Sequence, residues 1–409
     1  MLAAFGAALM SPLLARRLAD APVAASVALT VRAREMRAQG LDVISLTIGE
    51  PDFATPAHVV EAAHQSALGG ETRYPPQDGA PALKAAIRRK LARDGLHYGI
   101  DEIVVGNGGK QVIFDALMAT LDPGSEVIVL APYWNAYLLV TQLLGGAAVS
   151  VPCLEADGFR PRVAAIEAAI TPRTRWLVLN FPNNPTGAVC GPEDLAAIGA
   201  MLLRHPQVWV MSDDLYERLR FDGAPHATIA AVVPALRERV LTLGGVSKTY
   251  AMTGWRVGYG AGPRVLVRAM ATVQGHATAG VCAPAQAAAA AALDGPQDEV
   301  EVMGDAYRRR RDLVVDALAA APGLGCHRPD GAFYVYPSVA GLIGRRSGGG
   351  RGLATDEDVC AALLEEGHVA TVFGAAFGMS PYLRLSCAAS DAVLTEACRR
   401  ITRFCDAVD

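Results

Sequence analysis

From about residue 100 the chain repeats one pattern: a short run rich in β-branched residues, a turn of Gly, Pro, Asn or Asp, and a longer stretch rich in Ala and Leu. The β-branched runs lie at 103–105, 126–130, 176–179, 208–211, 240–243 and 257–260. Strands that alternate with helices imply crossover connections, and hence a mostly parallel sheet with helices on both faces. The sequence therefore predicts an α/β domain.

After about residue 305 the pattern changes to shorter, mixed elements, which predict a second, α+β domain. Its predicted elements are a charged helix at 307–320, a strand at 333–336, a helix at 356–366, a strand at 382–386 and a closing helix. A helix at 27–39 is expected to complete it. We predict a large domain at 50–305 and a small domain formed by 15–49 and 306–409. The Gly-, Ser- and Arg-rich stretch 344–352 predicts a mobile loop in the small domain.

Composition excludes several classes of protein. The 409 residues carry a net charge of −4 without a long run of one sign, so nucleic acid is not an expected partner. The eight cysteines include no CxxC pair and the eight histidines no HExxH motif, which predicts reduced thiols, a cytoplasmic location and no metal site.

No membrane span is expected. Residues 283–293 are strongly apolar but too short to cross a bilayer, and their run of six alanines predicts a buried helix. The apolar stretch 1–14 lacks the basic leader and clear cleavage site of a signal peptide, and we expect a flexible N-terminal arm there.

Ligands of an open parallel sheet bind beyond the carboxyl ends of its strands, so the residues that follow each run are the candidates. The first run leads into Gly108, Gly109 and Lys110 at the start of a helix. Glycines allow close approach of the backbone, and the first amides of a helix suit a phosphate, although a plain tight turn explains the same residues equally well.

Aromatic, amide, acidic and basic side chains follow the other runs. Trp134 could stack on a flat ligand or pack in the core, and Asn184 could donate to an oxyanion or belong to a simple turn. Asp213 and Asp214 directly follow an apolar strand, where a carboxylate is costly to bury unless it is paired, and helix capping would explain only one of the two. Lysine is ordinarily a solvated surface residue, but Lys248 lies among glycine and apolar neighbours, where its amine could have a lowered pKa and act as a nucleophile.

The segment 247–256, with the sequence SKTYAMTGWR, resembles the cofactor-lysine motif of class I aminotransferases, which are fold-type I pyridoxal-phosphate enzymes. Three more motifs of that family stand in the same order: SLTIGEPDF at 45–53, NPTG at 184–187 and LRLS at 383–386. The resemblance covers nearly the whole chain and is strongest for the bacterial aspartate/prephenate subgroup. It implies a large domain with a mostly parallel seven-stranded sheet and a smaller α+β domain.

The resemblance also implies a role for each candidate. Lys248 would bind pyridoxal phosphate covalently and carry a proton, and Asp213 would pair with the pyridine nitrogen. Tyr216 and Asn184 would hydrogen-bond the phenolic oxygen of the ring, on which Trp134 would stack.

The phosphate would lie on the amides of Gly109 and Lys110 and pair with Arg256. Tyr74 would reach the phosphate across the interface of a homodimer with two shared active sites. An ordinary turn is the alternative explanation for Tyr74.

The expected substrates are an amino acid and a 2-oxo acid. Arg384 would hold the α-carboxylate in a bidentate fork, helped by Asn184 and the backbone of Gly49, although Gly49 is also explained as a turn residue. Trp134 is also expected to contact the substrate. Lys110 would meet the distal carboxylate of a dicarboxylic substrate. Aspartate with 2-oxoglutarate is the first expectation.

Four positions, in three segments, depart from the subgroup pattern. Ala279 and Val281 stand where polar residues or proline are more common, and Phe373 replaces a proline, so these bear on the substrate pocket. Gly245 lacks a serine hydroxyl that some relatives direct at the phosphate.

Three alternatives stay open at this point. They are an aminotransferase for aromatic or neutral amino acids, a β-lyase or decarboxylase on the same fold, and a binding or regulatory protein without turnover.

Overall fold

The computed structural model describes residues 15–19 and 25–409, and the arm predicted at 1–14 lies outside them. The α-helices are α1 (Arg16–Ala19), α2 (Ala25–Ala38), α3 (Ala57–Leu68), α4 (Pro81–Arg93), α5 (Gly109–Met118), α6 (Ala136–Leu143), α7 (Val163–Ala169), α8 (Pro192–Leu202), α9 (Ile229–Val232), α10 (Arg264–Ala277), α11 (Ala283–Asp294), α12 (Asp298–Leu318), α13 (Asp356–Gly367) and α14 (Asp391–Asp406).

The strands are β1 (Ile44–Ser45), β2 (Ile103–Gly106), β3 (Glu126–Ala131), β4 (Ala147–Pro152), β5 (Thr174–Asn180), β6 (Trp209–Asp213), β7 (Val240–Gly245), β8 (Gly258–Ala261), β9 (Tyr334–Val335), β10 (Val369–Ala370), β11 (Val372–Phe373) and β12 (Leu383–Ser386). Short 3₁₀ helices lie at Ile100–Glu102, Glu155–Asp157, Pro234–Arg239, Thr253–Trp255, Ala340–Leu342 and Gly374–Phe377.

A seven-stranded sheet with the order β2-β8-β7-β6-β5-β3-β4 organises the larger part of the molecule. Only β8 among these strands runs antiparallel to its neighbours, so the sheet is mostly parallel, as predicted. The sequence analysis missed the edge strand β4, because only Val151 of its six residues is buried and they make no buried β-branched run.

The register of three central strands determines where the candidate site lies. Asn180 on β5 pairs with Asp213 on β6, and Asp213 pairs with Leu243 on β7. The carboxyl ends of these strands therefore lie side by side, and the residues that follow them meet at one edge of the sheet.

The C-terminal part holds two small sheets. β9, β12 and β11 form an antiparallel sheet, and β1 pairs in parallel with β10, through Ile44 with Val369 and Ser45 with Ala370. This pairing joins residues near 45 to the C-terminal part and supports the division into two domains, which remains our proposal. The sequence analysis missed β1, β10 and β11, since two-residue strands leave no periodicity.

The stretch 344–352 is held by hydrogen bonds to α13. Glu366 accepts from the Ser347 hydroxyl at 2.6 Å and from the Gly349 amide at 2.9 Å. Its composition predicts a mobile loop, but its partner lies 17 to 19 residues further along the chain, beyond the reach of local patterns.

The alanine-rich segment forms α11, which packs against α3 and α4 as a buried helix. Ala288, Ala289 and Ala292 are fully buried, and their small side chains allow the helices to pack closely. Among the described residues, no helix combines the length and the apolar character needed to cross a bilayer. All eight cysteines are free thiols, six of them buried.

We predict that Gly258→Ala destabilises the protein by about 1–3 kcal/mol, the usual cost of overpacking. A β-carbon at Gly258 would come within 2.6 Å of the backbone carbon of Gly108, which leads into α5 and has no side chain to move aside. Denaturant unfolding measures the change.

Gly352→Ala is the matched control, because a β-carbon at Gly352 meets nothing within 4 Å. The prediction would be contradicted if Gly258→Ala and Gly352→Ala unfolded at the same denaturant concentration and with the same dependence on denaturant.

Candidate active site

A cavity of about 580 Å³ lies at the carboxyl edge of the large sheet. It is lined by ten of the eleven residues that the sequence analysis proposed: Gly49, Gly109, Lys110, Trp134, Asn184, Asp213, Tyr216, Lys248, Arg256 and Arg384. Tyr74 is 92% exposed and does not line the cavity, so its contact across a dimer interface stays a prediction.

Lys248 follows β7 and extends its amine into this cavity. The amine donates a hydrogen bond to the carbonyl of Gly49 at 2.5 Å and lies about 6 Å from the ring centres of Tyr216 and Phe333. Burial lowers the pKa of Lys248 from 10.5 to about 8, although the nearby Glu50 carboxylate opposes the shift. A lysine in this environment loses its proton readily and becomes a nucleophile.

Asp213 ends β6 with its side chain buried. The carboxylate accepts hydrogen bonds from the Tyr137 hydroxyl at 2.5 Å and from the Leu215 amide at 3.2 Å. Burial raises the pKa of Asp213 from 3.8 to about 6, and the hydrogen bond from Tyr137 partly opposes the rise. A cationic ligand group beside this carboxylate would restore its charge.

The sequence analysis missed Tyr137. It lies fully buried in the first turn of α6, an apolar helix whose pattern predicts only core packing. Two features could have identified Tyr137 from the sequence. It lies three residues after Trp134, and a buried phenol needs a hydrogen-bond partner. The rings of Trp134 and Tyr137 meet edge to face, with centres 5.6 Å apart.

The start of α5 forms a cationic cradle with Arg256. The guanidinium of Arg256 donates to the carbonyl of Asn107 at 3.2 Å, and a β-carbon at Gly108 would come within 2.5 Å of it. The first amides of α5, at Gly109 and Lys110, have no partner within the helix. Such a helix start beside a guanidinium suits an anion.

Lys110 extends from this cradle toward Trp134, with its amine 5.1 Å from the centre of the ring. Burial and the positive charge of Arg256 lower the pKa of Lys110.

Arg384 projects from β12 and is buried. Its guanidinium donates to the side-chain oxygen of Asn184 at 3.0 Å and to the carbonyl of Thr47 at 2.5 Å. Its Nε is buried without a hydrogen-bond partner. An unsatisfied donor on a buried guanidinium is costly, and a carboxylate is the ligand that relieves the cost.

The structure shows the surroundings of the residues that depart from the subgroup pattern. A β-carbon at Gly245 would lie 2.9 Å from the Leu215 side chain and 3.3 Å from the carbonyl of Val257, so the strand leaves little room for a serine. Phe373 is buried on β11 and does not line the cavity. The cavity lining also leaves out Ala279 and Val281, which the sequence analysis connected with the substrate pocket.

One face of α2 lines the mouth of the cavity with Val27, Thr30, Val31 and Arg34. The sequence analysis placed this helix in the small domain and gave it no part in the site, because no local signal connects it to the residues that follow the strands of the large sheet. Within the described ranges, no group of three or more His, Cys, Asp or Glu is placed to hold a metal ion.

Comparison with known proteins identifies close relatives. Residues 41–401 match the family described as aminotransferase class I and II. An aspartate/prephenate aminotransferase of Cereibacter sphaeroides is 51% identical over 381 residues, which are 93% of this chain and 95% of the relative. An aspartate aminotransferase of Rhizobium meliloti is 48% identical over 393 residues, 96% of each chain.

Solved structures of aspartate aminotransferases are also similar to this chain. An aspartate aminotransferase from Rhizobium meliloti superposes with a TM-score of 0.95 at 47% identity, over 98% of this chain and all of that one. The enzyme from Thermus thermophilus, solved with maleate, has a TM-score of 0.90 at 40% identity and matches 96% of this chain and 100% of its own. The predicted fold class and the resemblance to this family are confirmed.

We predict that Asp213→Asn raises the free energy of unfolding of the ligand-free protein above pH 6 by about 3 kcal/mol. In the folded protein the pKa of Asp213 is about 6, above its ordinary value of 3.8. The wild-type protein therefore loses stability as pH rises from about 4 to about 6. The advantage of the asparagine variant should disappear as pH falls toward 4. Urea unfolding at pH 8 and pH 4 measures it.

Asp222→Asn is the control of opposite sign. Arg220 donates a hydrogen bond that lowers the pKa of Asp222, so this variant should lose stability at pH 8. A gain for Asp213→Asn that does not change with pH would contradict the prediction.

Proposed function

We propose, since the chain belongs to the class I and II aminotransferase family, that it is a transaminase that takes the amino group of aspartate and transfers it to 2-oxoglutarate. The observation that carries this proposal is the convergence in one cavity of the Lys248 amine, the buried Asp213 carboxylate and the Arg384 guanidinium. The names of its relatives support aspartate as the donor.

We propose pyridoxal phosphate as the cofactor, because the residues present fit that group. The buried carboxylate of Asp213 matches a protonated pyridine nitrogen, and the cradle of α5 and Arg256 matches a phosphate. The Lys248 amine, with its lowered pKa, suits covalent attachment, and Trp134 offers a ring for stacking. When bound, the cofactor serves as an electron sink for the substrate α-carbon.

The side chains of this site have distinct proposed tasks. The Nζ of Lys248 accepts the proton that leaves the substrate α-carbon, a task suited to a pKa of about 8. Asp213 keeps the pyridine nitrogen protonated through its carboxylate. Tyr216 and Asn184 would hold the phenolic oxygen of the ring through their hydroxyl and side-chain amide groups.

The substrate is held at its two ends. The unpaired Nε of Arg384 and its neighbouring guanidinium nitrogens bind the α-carboxylate, and Asn184 fixes the orientation of the guanidinium. The carbonyl of Gly49 faces the same space. Lys110 binds the distal carboxylate of the substrate beside Trp134, and this contact selects dicarboxylic amino acids.

We propose a homodimer in the cytoplasm as the working form, with Tyr74 of each chain reaching the phosphate in the other. The high exposure of this aromatic side chain supports a role at an interface. The free thiols suit a reducing compartment.

Prephenate is a second candidate for the amino acceptor. The observation that favours it is the Cereibacter relative, which is 51% identical and carries prephenate in its name. A β-lyase or decarboxylase is less favoured, because Arg384 and Lys110 together hold and retain both carboxylates.

Adding L-aspartate without a 2-oxo acid to the protein loaded with pyridoxal phosphate tests the proposal. We expect the visible absorption band of the lysine-bound cofactor to disappear, with one oxaloacetate formed per chain. Lys248→Ala should show neither change. A band that does not respond to aspartate would contradict the proposed donor and direct the search to aromatic or neutral amino acids.

Lys110→Met should raise KM for aspartate by about tenfold or more, because a charge-assisted hydrogen bond contributes about 1.5–3 kcal/mol. The phosphate contact through the backbone amide is retained. Steady-state kinetics with alanine are the control, since alanine has no distal carboxylate and its KM should change less than about twofold. Equal losses for both substrates would exclude Lys110 from the recognition of the distal carboxylate.

A further inference from the structure

Tyr334 is a buried residue of β9 that lines the cavity and has no role in the proposal above. Its hydroxyl lies 2.8 Å from the hydroxyl of Tyr216, and its ring lies under Arg384, with the guanidinium carbon 4.7 Å from the ring centre. A single side chain thus contacts a residue proposed for the cofactor and the residue proposed for the substrate carboxylate.

The position of the Tyr334 hydroxyl leaves it little freedom. A β-carbon built on Gly49 would overlap this hydroxyl and lie 2.9 Å from the ring carbon that bears it, so the hydroxyl is packed directly against the backbone of Gly49. Tyr216 is the hydrogen-bond partner that the structure gives it.

A phenol donates one hydrogen and accepts others. If the hydroxyl of Tyr334 donates to Tyr216, the hydrogen of Tyr216 is free to point to another acceptor. The phenolic oxygen of the cofactor is that acceptor in the proposed function. In that arrangement the pair of hydroxyls sets the direction in which Tyr216 donates.

The ring of Tyr334 has a separate contact. Its face lies against the Arg384 guanidinium, and the ring of Phe377 lies 4.9 Å from the same group. A cation between aromatic faces in a buried site is restricted in position and gains cation–π energy. The hydrogen bonds to Asn184 and Thr47 fix it further.

We propose that Tyr334 is a positioning residue with two separable effects: its hydroxyl orients Tyr216 toward the cofactor ring, and its ring supports Arg384 for the substrate carboxylate. The inference rests on the proposed function, whose site it completes. It follows that removing the hydroxyl and removing the ring should have different consequences.

Tyr334→Phe and Tyr334→Leu separate the two effects in protein loaded with pyridoxal phosphate. A hydrogen bond to the phenolic oxygen favours its anionic form, so the phenylalanine variant should move the midpoint of the pH-dependent visible spectrum upward by about half a unit or more. Its kcat with aspartate should fall by about tenfold, the effect of one lost hydrogen bond. Its dissociation constant for succinate, an unreactive dicarboxylate, should change less than about twofold.

The leucine variant should show the same spectral shift and in addition bind succinate about tenfold more weakly, because the surface under Arg384 is lost. Tyr336→Phe is the matched control. Tyr336 is buried near the same strand but donates to the carbonyl of Met379 at 3.1 Å and does not line the cavity. Its spectrum, kcat and succinate affinity should match the wild type.

An unchanged spectral midpoint in Tyr334→Phe would overturn the proposal, and so would equal losses of succinate affinity in both Tyr334 variants. The phenylalanine variant decides the question of the hydroxyl even if the leucine variant does not fold. Failure of the wild-type protein to react with aspartate would refute the proposed substrate alone, since the spectral titration of Tyr334→Phe does not depend on the donor.

Discussion

The buried carboxylate of Asp213 imposes the main constraint on this structure. The sheet register places it at the end of β6, between Asn180 and Leu243 on the neighbouring strands. Two donors, Tyr137 and the Leu215 amide, reduce the cost of burial without removing it, as the raised pKa shows. The site thus has an electrostatic demand that a cationic ligand group would satisfy.

Burial acts on both signs of charge in this cavity. It raises the pKa of the Asp213 carboxyl and lowers that of the Lys248 amine, and in both cases it disfavours the charged form. The unsatisfied Nε of Arg384 is a third cost of the same kind. These three groups therefore cost stability, which a ligand that pairs with them would recover, a common feature of sites that hold reactive groups in place.

Sequence reasoning located the residues that follow strands, because the carboxyl edge of a parallel sheet is defined by topology. Asp213, Asn184 and Lys248 were found in this way, and the family resemblance added Arg384. Tyr137 and Tyr334 could not be found by the same reasoning, since each lies inside an element whose apolar pattern predicts core packing. The fold class and the family are confirmed, whereas the roles of individual residues remain predictions.

The pairing of β1 with β10 has a consequence for synthesis on the ribosome. Residues 44–49 supply the carbonyls that hold Lys248 and Arg384, yet Ile44 pairs with Val369 and the carbonyl of Leu46 accepts from the amide of Ser386. These partners are made more than 300 residues later, so the N-terminal segment emerges long before its place in the structure exists. Completion of the site must wait until residues 369–386 have left the ribosome, and until then residues 44–49 lack these partners.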